Sequence, residues 1–237
     1  SRKPKTLFYK PEYSSGNGTQ QLKEIFNVER ILDNPKPVDL IRDLIEISGD
    51  KNAIILDFFA GSCTTAHAVL DLNKEDGGRR KFIMVQLPEP CDGKSEAYKA
   101  GFKTIADIGK ERIRRVIKKI QEEQKKDDQK TLFDKSDGKK PLDLGFKVFK
   151  LDKSNFKIWD GENIPKDKKS LERQLELHID HISPKATQED ILFEILLKAG
   201  FELTTKIEKI ELAGKTVYSI EDGAMLVCLE RELTKEV

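Results

Sequence analysis

The chain has 237 residues, of which 36% are charged and 37% hydrophobic, enough for one large domain or two small ones around a modest core. Its 43 basic and 42 acidic residues leave a net charge of +1, which excludes a uniformly basic nucleic-acid binder and makes any basic surface local. Cys63, Cys91 and Cys228 form no CxxC pair, and no long apolar run occurs. A zinc site, a disulfide framework and a membrane span are therefore not expected, and reduced thiols in a cytoplasmic protein are.

In chain order, Ser1-Arg2-Lys3-Pro4-Lys5 has neither a starting Met nor an apolar signal core, and reads as the start of a fragment or processed piece. Residues 1–20 read as loop, with turn formers clustered at Ser14–Thr19. Pro37–Ile47 reads as a helix with Pro37 in its first turn and an apolar stripe of Val38, Ile41, Leu44 and Ile45. Ile54–Phe58 is apolar on both faces, as in the centre of a parallel sheet. A helix over Thr64–Leu72, a break at Gly77-Gly78 and a strand over Lys81–Leu87 complete a βαβ unit. Tyr98–Gln124 is mostly helical, with Ile105, Ile108, Ile113, Val116, Ile117 and Ile120 at helical spacing. Its other faces carry Lys110, Arg112, Arg114, Arg115, Lys118 and Lys119. Lys125–Lys140 reads as a flexible loop and Phe146–Leu151 as a third strand. A second unit follows: helices at Lys169–Ile179 and Gln188–Ala199, then strands at Glu202–Leu212, Thr216–Ile220 and Met225–Glu230. Thr187 is the predicted N-cap of the second helix, with Asp190 as capping-box partner and Gly200 as C-cap.

The most informative stretch is Ile54–Leu70, a buried strand ending in Asp57, a turn of small residues and a helix. That is how an open α/β sheet presents a nucleoside pocket at a strand's carboxyl end. No Gly-Lys-Ser/Thr follows, so it is not a P-loop, and two of the three glycines of a dinucleotide fingerprint are missing. A plain turn between strand and helix remains the alternative.

Phe59-Ala60-Gly61-Ser62-Cys63-Thr64-Thr65 resembles the Phe-x-Gly-x-Gly turn of S-adenosylmethionine-dependent DNA amino-methyltransferases. With Glu12-Tyr13, Gly18-Thr19, Leu22-Lys23 and Phe26 upstream, and Ser95–Gly101, Ile105–Ile108 and Glu111–Arg115 downstream, the chain is similar to the modification (Mod) subunit of type III restriction–modification systems. The likeness covers most of residues 7–230 and is tightest through residue 150.

The resemblance implies a partial Rossmann-like α/β core holding strands 3, 2 and 1 of a sheet ordered 3-2-1-4-5-7-6, within residues 1–151. A small α+β domain over 152–237 follows. It implies a cradle for S-adenosylmethionine built from Lys36, Pro37 and Val38, from Asp57, Phe58, Phe59, Ala60, Gly61, Ser62, Thr64 and Thr65, and from Gln86 or Glu89 toward the ribose, Glu89 being preferred. The implied activity is DNA adenine-N6 methylation.

Two departures stand out. The turn's second glycine is Cys63 here, which puts a Cβ and a sulfur where backbone and ligand approach. The Asp/Asn/Ser-Pro-Pro-aromatic tetrapeptide that holds and stacks the flipped base is absent; Asp33-Asn34-Pro35-Lys36 lacks its second proline and aromatic. In the family that motif and the target-recognition region precede the turn. The chain is thus expected to be the C-terminal half of a Mod subunit, with no catalytic residue and inactive alone. Its expected partners are the N-terminal half, DNA in the full-length protein, a second Mod subunit in a homodimer and the restriction (Res) subunit. Ile54–Phe58 should be left as an apolar edge that something covers.

Weaker signals are His178-Ile179-Asp180-His181, where a solvated helix face outweighs a metal, and the Arg112–Lys119 basic run, where a solvated helix outweighs DNA contact. Trp159 is expected to pack between the two units. The competing class is a non-enzymatic assembly module, in which residues 151–237 dock a sister Mod or Res subunit.

Overall fold

The computed structural model describes residues 10–130, 142–157, 167–172 and 182–230. The chain divides into two compact units, residues 1–145 and 146–237.

In the first unit, helix α1 (Ser15–Phe26) takes in residues 15–20, where the sequence predicts loop. The glycines that favour a turn serve packing instead. A Cβ on Gly18 would fall 2.2 Å from the Pro35 carbonyl oxygen, so only glycine lets α1 lie against that segment. Leu22 and Phe26 supply the apolar side, packing with Ile31, Ala97 and Ile108. Helix α2 (Val38–Ser48) has Pro37 as its N-cap rather than in its first turn. Strand β1 (Ile54–Asp57), helix α3 (Thr64–Asp76) and strand β2 (Lys81–Met84) form the βαβ unit, with β1 and β2 paired in parallel, Ile54 opposite Lys81 and Asp57 opposite Met84. A short helix α4 (Glu96–Lys99) precedes helix α5 (Ile105–Lys130). The helical reading from Tyr98 is thus interrupted, and residues 125–130, predicted as loop, continue α5.

Helices α2 and α3 cover one face of the β1–β2 pair, where Val38, Ile45, Ala68, Val69 and Leu72 pack with Ile55 and Phe82. The other face is bare: Ile54 is 63% exposed, Leu56 57% and Ile83 51%. Among the described residues, a strand apolar on both sides finds a partner on one side only.

The predicted third strand over Phe146–Leu151 is not formed, so the strand order 3-2-1 is corrected: the first unit's sheet has two strands among the described residues. Alternation alone does not make a strand without a neighbour to bond. The segment falls in the second unit, where the Phe149 ring meets Phe193 edge-on at 5.1 Å and Lys147 Nζ donates to the Leu203 carbonyl.

The second unit holds helix α6 (Gln188–Lys198) and an antiparallel sheet of β3 (Ile207–Leu212), β4 (Lys215–Ile220) and β5 (Met225–Cys228) in that order. Ala213 and Gly214 both take positive φ, 46° and 75°, which matches a two-residue turn to the twist of the β3–β4 hairpin. Leu192 and Leu196 of α6 pack on Tyr218, Ile220 and Val227. Residues 168–172 are helical, the start of the predicted Lys169–Ile179 helix. Trp159, His178, Asp180 and His181 lie outside the described residues, as do 131–140 of the predicted loop.

Candidate cofactor site

The turn between β1 and α3 is held by its own polar atoms. Asp57 ends β1 and spends both carboxylate oxygens locally: Oδ1 accepts from the Phe59 N–H at 3.1 Å and Oδ2 from the Thr65 hydroxyl at 2.6 Å. The Ala60 N–H reaches the Val85 carbonyl at 3.1 Å, and the Val85 N–H reaches that of Asp57 at 2.8 Å, which ties the turn to the end of β2. Gln86 extends that tie, because its Oε1 accepts from the Gly61 N–H at 2.7 Å. Its amide is engaged with the turn, whereas Glu89 is exposed.

Gly61 has φ +52°, and an added Cβ there would meet no atom within 4 Å. The turn is therefore open on this side. Phe59 stands beside it, 82% exposed, its ring 5.1 Å from that of Phe58. No side chain caps the start of α3. Ser62, Cys63, Thr64 and Thr65 form the closed side and are buried.

Cys63 takes the left-handed conformation, φ 59° and ψ 43°, that its glycine-like position demands. Its thiol packs inward against α5: a Cβ on Gly109 would lie 2.6 Å from Cys63 Sγ and 3.2 Å from the Gly61 carbonyl oxygen. Burial pushes the thiol up to about 11, against the pull of nearby Arg112. The extra side chain is thus accommodated by a missing one across the interface.

Twenty-odd residues upstream, the Lys36–Val38 segment joins the same place. The Lys36 carbonyl accepts from the Thr64 hydroxyl at 3.3 Å. Lys36 is exposed, while Pro37 and Val38 are buried, Val38 within the α2–α3 core. Gln21 caps α2 in place of its own N-cap: Oε1 accepts from the Val38 N–H at 2.9 Å and Nε2 donates to Asp39 at 3.0 Å.

Arg112 departs from the sequence expectation: the run of bases places it on the basic face of α5, yet it is fully buried, with 0% exposure. Its Nη1 donates to Ser62 Oγ at 2.9 Å and Thr64 Oγ1 at 2.7 Å, and its Nη2 lies 3.3 Å from His67 Nδ1. Burial lowers the guanidinium to about 10, with Cys63 and Asp71 opposing. The signal was present: Ile108, Arg112, Val116 and Ile120 follow one another at four-residue spacing, so Arg112 sits on the apolar stripe. Arg115 also turns inward, with Nη1 on the Ile25 and Phe26 carbonyls at 3.1 and 3.2 Å, capping the end of α1. The predicted basic face thereby loses two of its arginines. Lys110 and Lys118 pair with Asp107 and Glu122, as on an ordinary solvated helix.

A cleft of about 290 Å³ runs along α2, α3 and α5, lined by Arg42, His67, Asp71, Lys74, Lys119 and Glu123 among others, and none of the predicted cofactor residues lines it. His67 Nε2 lies 3.2 Å from Asp71. Burial lowers the His67 pKa, and Arg112 adds to this against the Asp71 hydrogen bond. No helix among the described residues is long and apolar enough to cross a membrane.

Residues 1–91, which contain the turn, the Lys36–Val38 segment and Gln86, match the DNA methylase family of the N6/N4 type. Along nearly its whole length the chain is 35% identical to the EcoP15I Mod subunit of Escherichia coli, over 88% of this chain and 28% of the relative. The chain is homologous to the Mod subunits of type III restriction–modification enzymes. It is also 45% identical to the EcoPI Mod subunit of Escherichia phage P1, over 50% of this chain and 18% of that relative. The type II methyltransferase M.KpnI of Klebsiella pneumoniae is 40% identical over 45% of this chain and 25% of its own length. The chain thus spans between about a sixth and a quarter or so of the Mod-type relatives it matches.

Proposed function

We propose that the chain is the S-adenosylmethionine-binding part of a site-specific DNA adenine-N6 methyltransferase of a restriction–modification system. The observation that carries this reading is the Thr64 hydroxyl bridging two sequence-distant segments, Lys36–Val38 and the Gly61 turn, next to a glycine with open space above it. The residues present fit the group: Gly61 leaves room where any side chain would intrude, and Phe59 offers an exposed apolar ring. Lys36, Pro37, Val38, Asp57, Phe58, Ala60, Ser62 and Thr65 complete the cradle.

When bound, S-adenosylmethionine supplies an electrophilic methyl carbon on a sulfonium. The chain's own residues bind and orient it. Asp57, with both oxygens engaged, fixes the turn before ligand arrives, so little ordering is left to be done on binding. Gln86 and Glu89 are the candidates for the ribose hydroxyls, and Glu89 is the one whose carboxylate is exposed. The adenine side of the reaction needs the Pro-Pro-aromatic tetrapeptide, which this sequence lacks. We assign the chain no catalytic residue and expect the N-terminal half of a Mod subunit to supply it, with DNA and a Res subunit as partners of the whole.

Isothermal titration calorimetry of the chain with S-adenosylmethionine tests this: measurable binding is expected, and its absence refutes the cradle. A methyl-transfer assay on the chain alone should be silent.

A second reading, a non-enzymatic assembly module, is favoured by the bare β1–β2 face, with Ile54, Leu56, Phe58, Ile83 and Leu87 exposed. On it, a sister subunit covers that face while residues 151–237 dock a Mod or Res chain. A defined oligomer on a sizing column without cofactor binding would select this reading.

A further inference from the structure

We propose that Arg112 is a positioning residue, which from inside α5 sets the spacing between the Lys36–Val38 segment and the Gly61–Thr65 turn and thereby controls cofactor affinity. This rests on the cofactor reading above and deepens it. Arg112 lies outside residues 1–91, the stretch that matches the DNA methylase family.

A buried guanidinium needs a reason. Water is lost from five N–H groups and a full charge, and the usual compensation is a carboxylate at hydrogen-bond distance. Arg112 has hydroxyls and an imidazole instead: Ser62 Oγ, Thr64 Oγ1 and His67 Nδ1. Its Nε is buried with no hydrogen-bond partner among the described residues. If filling volume were the only requirement, an apolar side chain on the same stripe as Ile108 and Val116 would do it without that cost. The arrangement is instead that of a hub for the turn.

The hub has reach. Thr64 Oγ1 accepts from Arg112 and itself donates to the Lys36 carbonyl, so one chain of hydrogen bonds runs from α5 through α3 to the upstream segment. The geometry also orders the donors: with Arg112 donating to the Thr64 oxygen, the Thr64 proton is directed at the Lys36 carbonyl. Ser62, two residues before, is held by the same nitrogen. One helical turn earlier on α5, Gly109 lets Cys63 Sγ and the Gly61 carbonyl approach. Positions 109 and 112 share a face and meet alternate residues of the turn, Gly61 and Cys63 at position 109, Ser62 and Thr64 at position 112. The open side of Gly61 is left to the ligand.

His67 reports on the hub. The tautomer that satisfies both contacts carries its proton on Nε2, toward Asp71, and leaves Nδ1 to accept from Arg112. The charged groups facing it are Asp71 on its own helix, Arg112 and Lys119 on α5, and Arg42 of α2 acting on Asp71.

The experiment compares the full chain with Arg112→Met and Arg112→Lys. It uses calorimetry with S-adenosylmethionine, amide hydrogen exchange over residues 59–66, and the nitrogen-15 spectrum of His67. In Arg112→Met the affinity should fall at least about tenfold and exchange in the turn should quicken about tenfold, while the second unit is unchanged. His67 should titrate at higher pH. Arg112→Lys, which can still donate to the two hydroxyls, should recover part of the affinity; should Arg112→Met not fold, the Lys variant against the parent carries the same comparison. Affinity within about twofold of the parent in Arg112→Met, or a Lys variant no better than Met, overturns the proposal while leaving the cradle standing. Failure of the unsubstituted chain to bind overturns the cofactor reading and this proposal together.

Discussion

Two helices in this molecule start in opposite ways. Helix α6 is closed by its own sequence: Thr187 Oγ1 accepts from the Asp190 N–H at 3.1 Å, and Asp190 Oδ2 accepts from the Thr187 N–H at 3.3 Å, a reciprocal capping box. Helix α3 has no side-chain cap. Its start is held from behind by Arg112 and Gly109, with a strained left-handed Cys63 at the N-cap, and its turn stays open at Gly61. On the cofactor reading proposed above, the α6 start serves only stability and is satisfied locally, whereas the α3 start serves a ligand and is supported from other elements, so that its front remains available.

That contrast can be broken at its tightest point. Gly109→Ala drives a Cβ into Cys63 Sγ and should cost about 2 kcal/mol by overpacking, read as a lower urea midpoint. Adding Cys63→Gly should recover more than half of it, since the two sites share one contact. Next in size, Thr187→Ala should cost about 1 kcal/mol and leave S-adenosylmethionine affinity untouched. If it weakened binding, the two helix starts would not be functionally distinct.

Acid sharpens the comparison. Burial holds the folded-state pKa of His67 below its ordinary 6.5, with Arg112 adding to the shift. The unfolded chain therefore takes up the proton first. This group's contribution to stability is complete above about pH 6.5 and is lost as pH falls toward the lower folded value. His67→Gln should flatten the acid limb of a stability-against-pH curve over that window, and an unchanged limb would count against the buried neutral imidazole. Smallest of all, Leu56→Gln on the bare sheet face should change stability by less than about 0.5 kcal/mol. Under the assembly reading it should nevertheless shift the elution of the chain on a sizing column.

Much of this was legible residue by residue. The βαβ unit follows from an apolar strand, a small-residue turn and a second apolar run, and the Thr187–Asp190 box follows from a local pairing three residues apart. Helix α1 was not legible, because Gly16 and Gly18 read as turn formers until the closeness of Pro35 is known. Phe146–Leu151 alternates like a strand but finds no neighbouring strand among the described residues. Composition groups Arg112 with the surface bases, although its spacing to Ile108 and Val116 puts it on the buried stripe.

Local patterns decided what depends on neighbours within a few residues: the βαβ unit, where α6 begins, and the glycine-bearing turn with its likeness to DNA methylases. Tertiary structure alone decided what depends on residues far apart in the chain. It bridged Lys36 to Thr64, turned Gln86 onto Gly61 and seated Cys63 against Gly109. It also drew the Arg112 charge into the interior, where distant hydroxyls and an imidazole converge on it and offset part of the cost of burying a guanidinium.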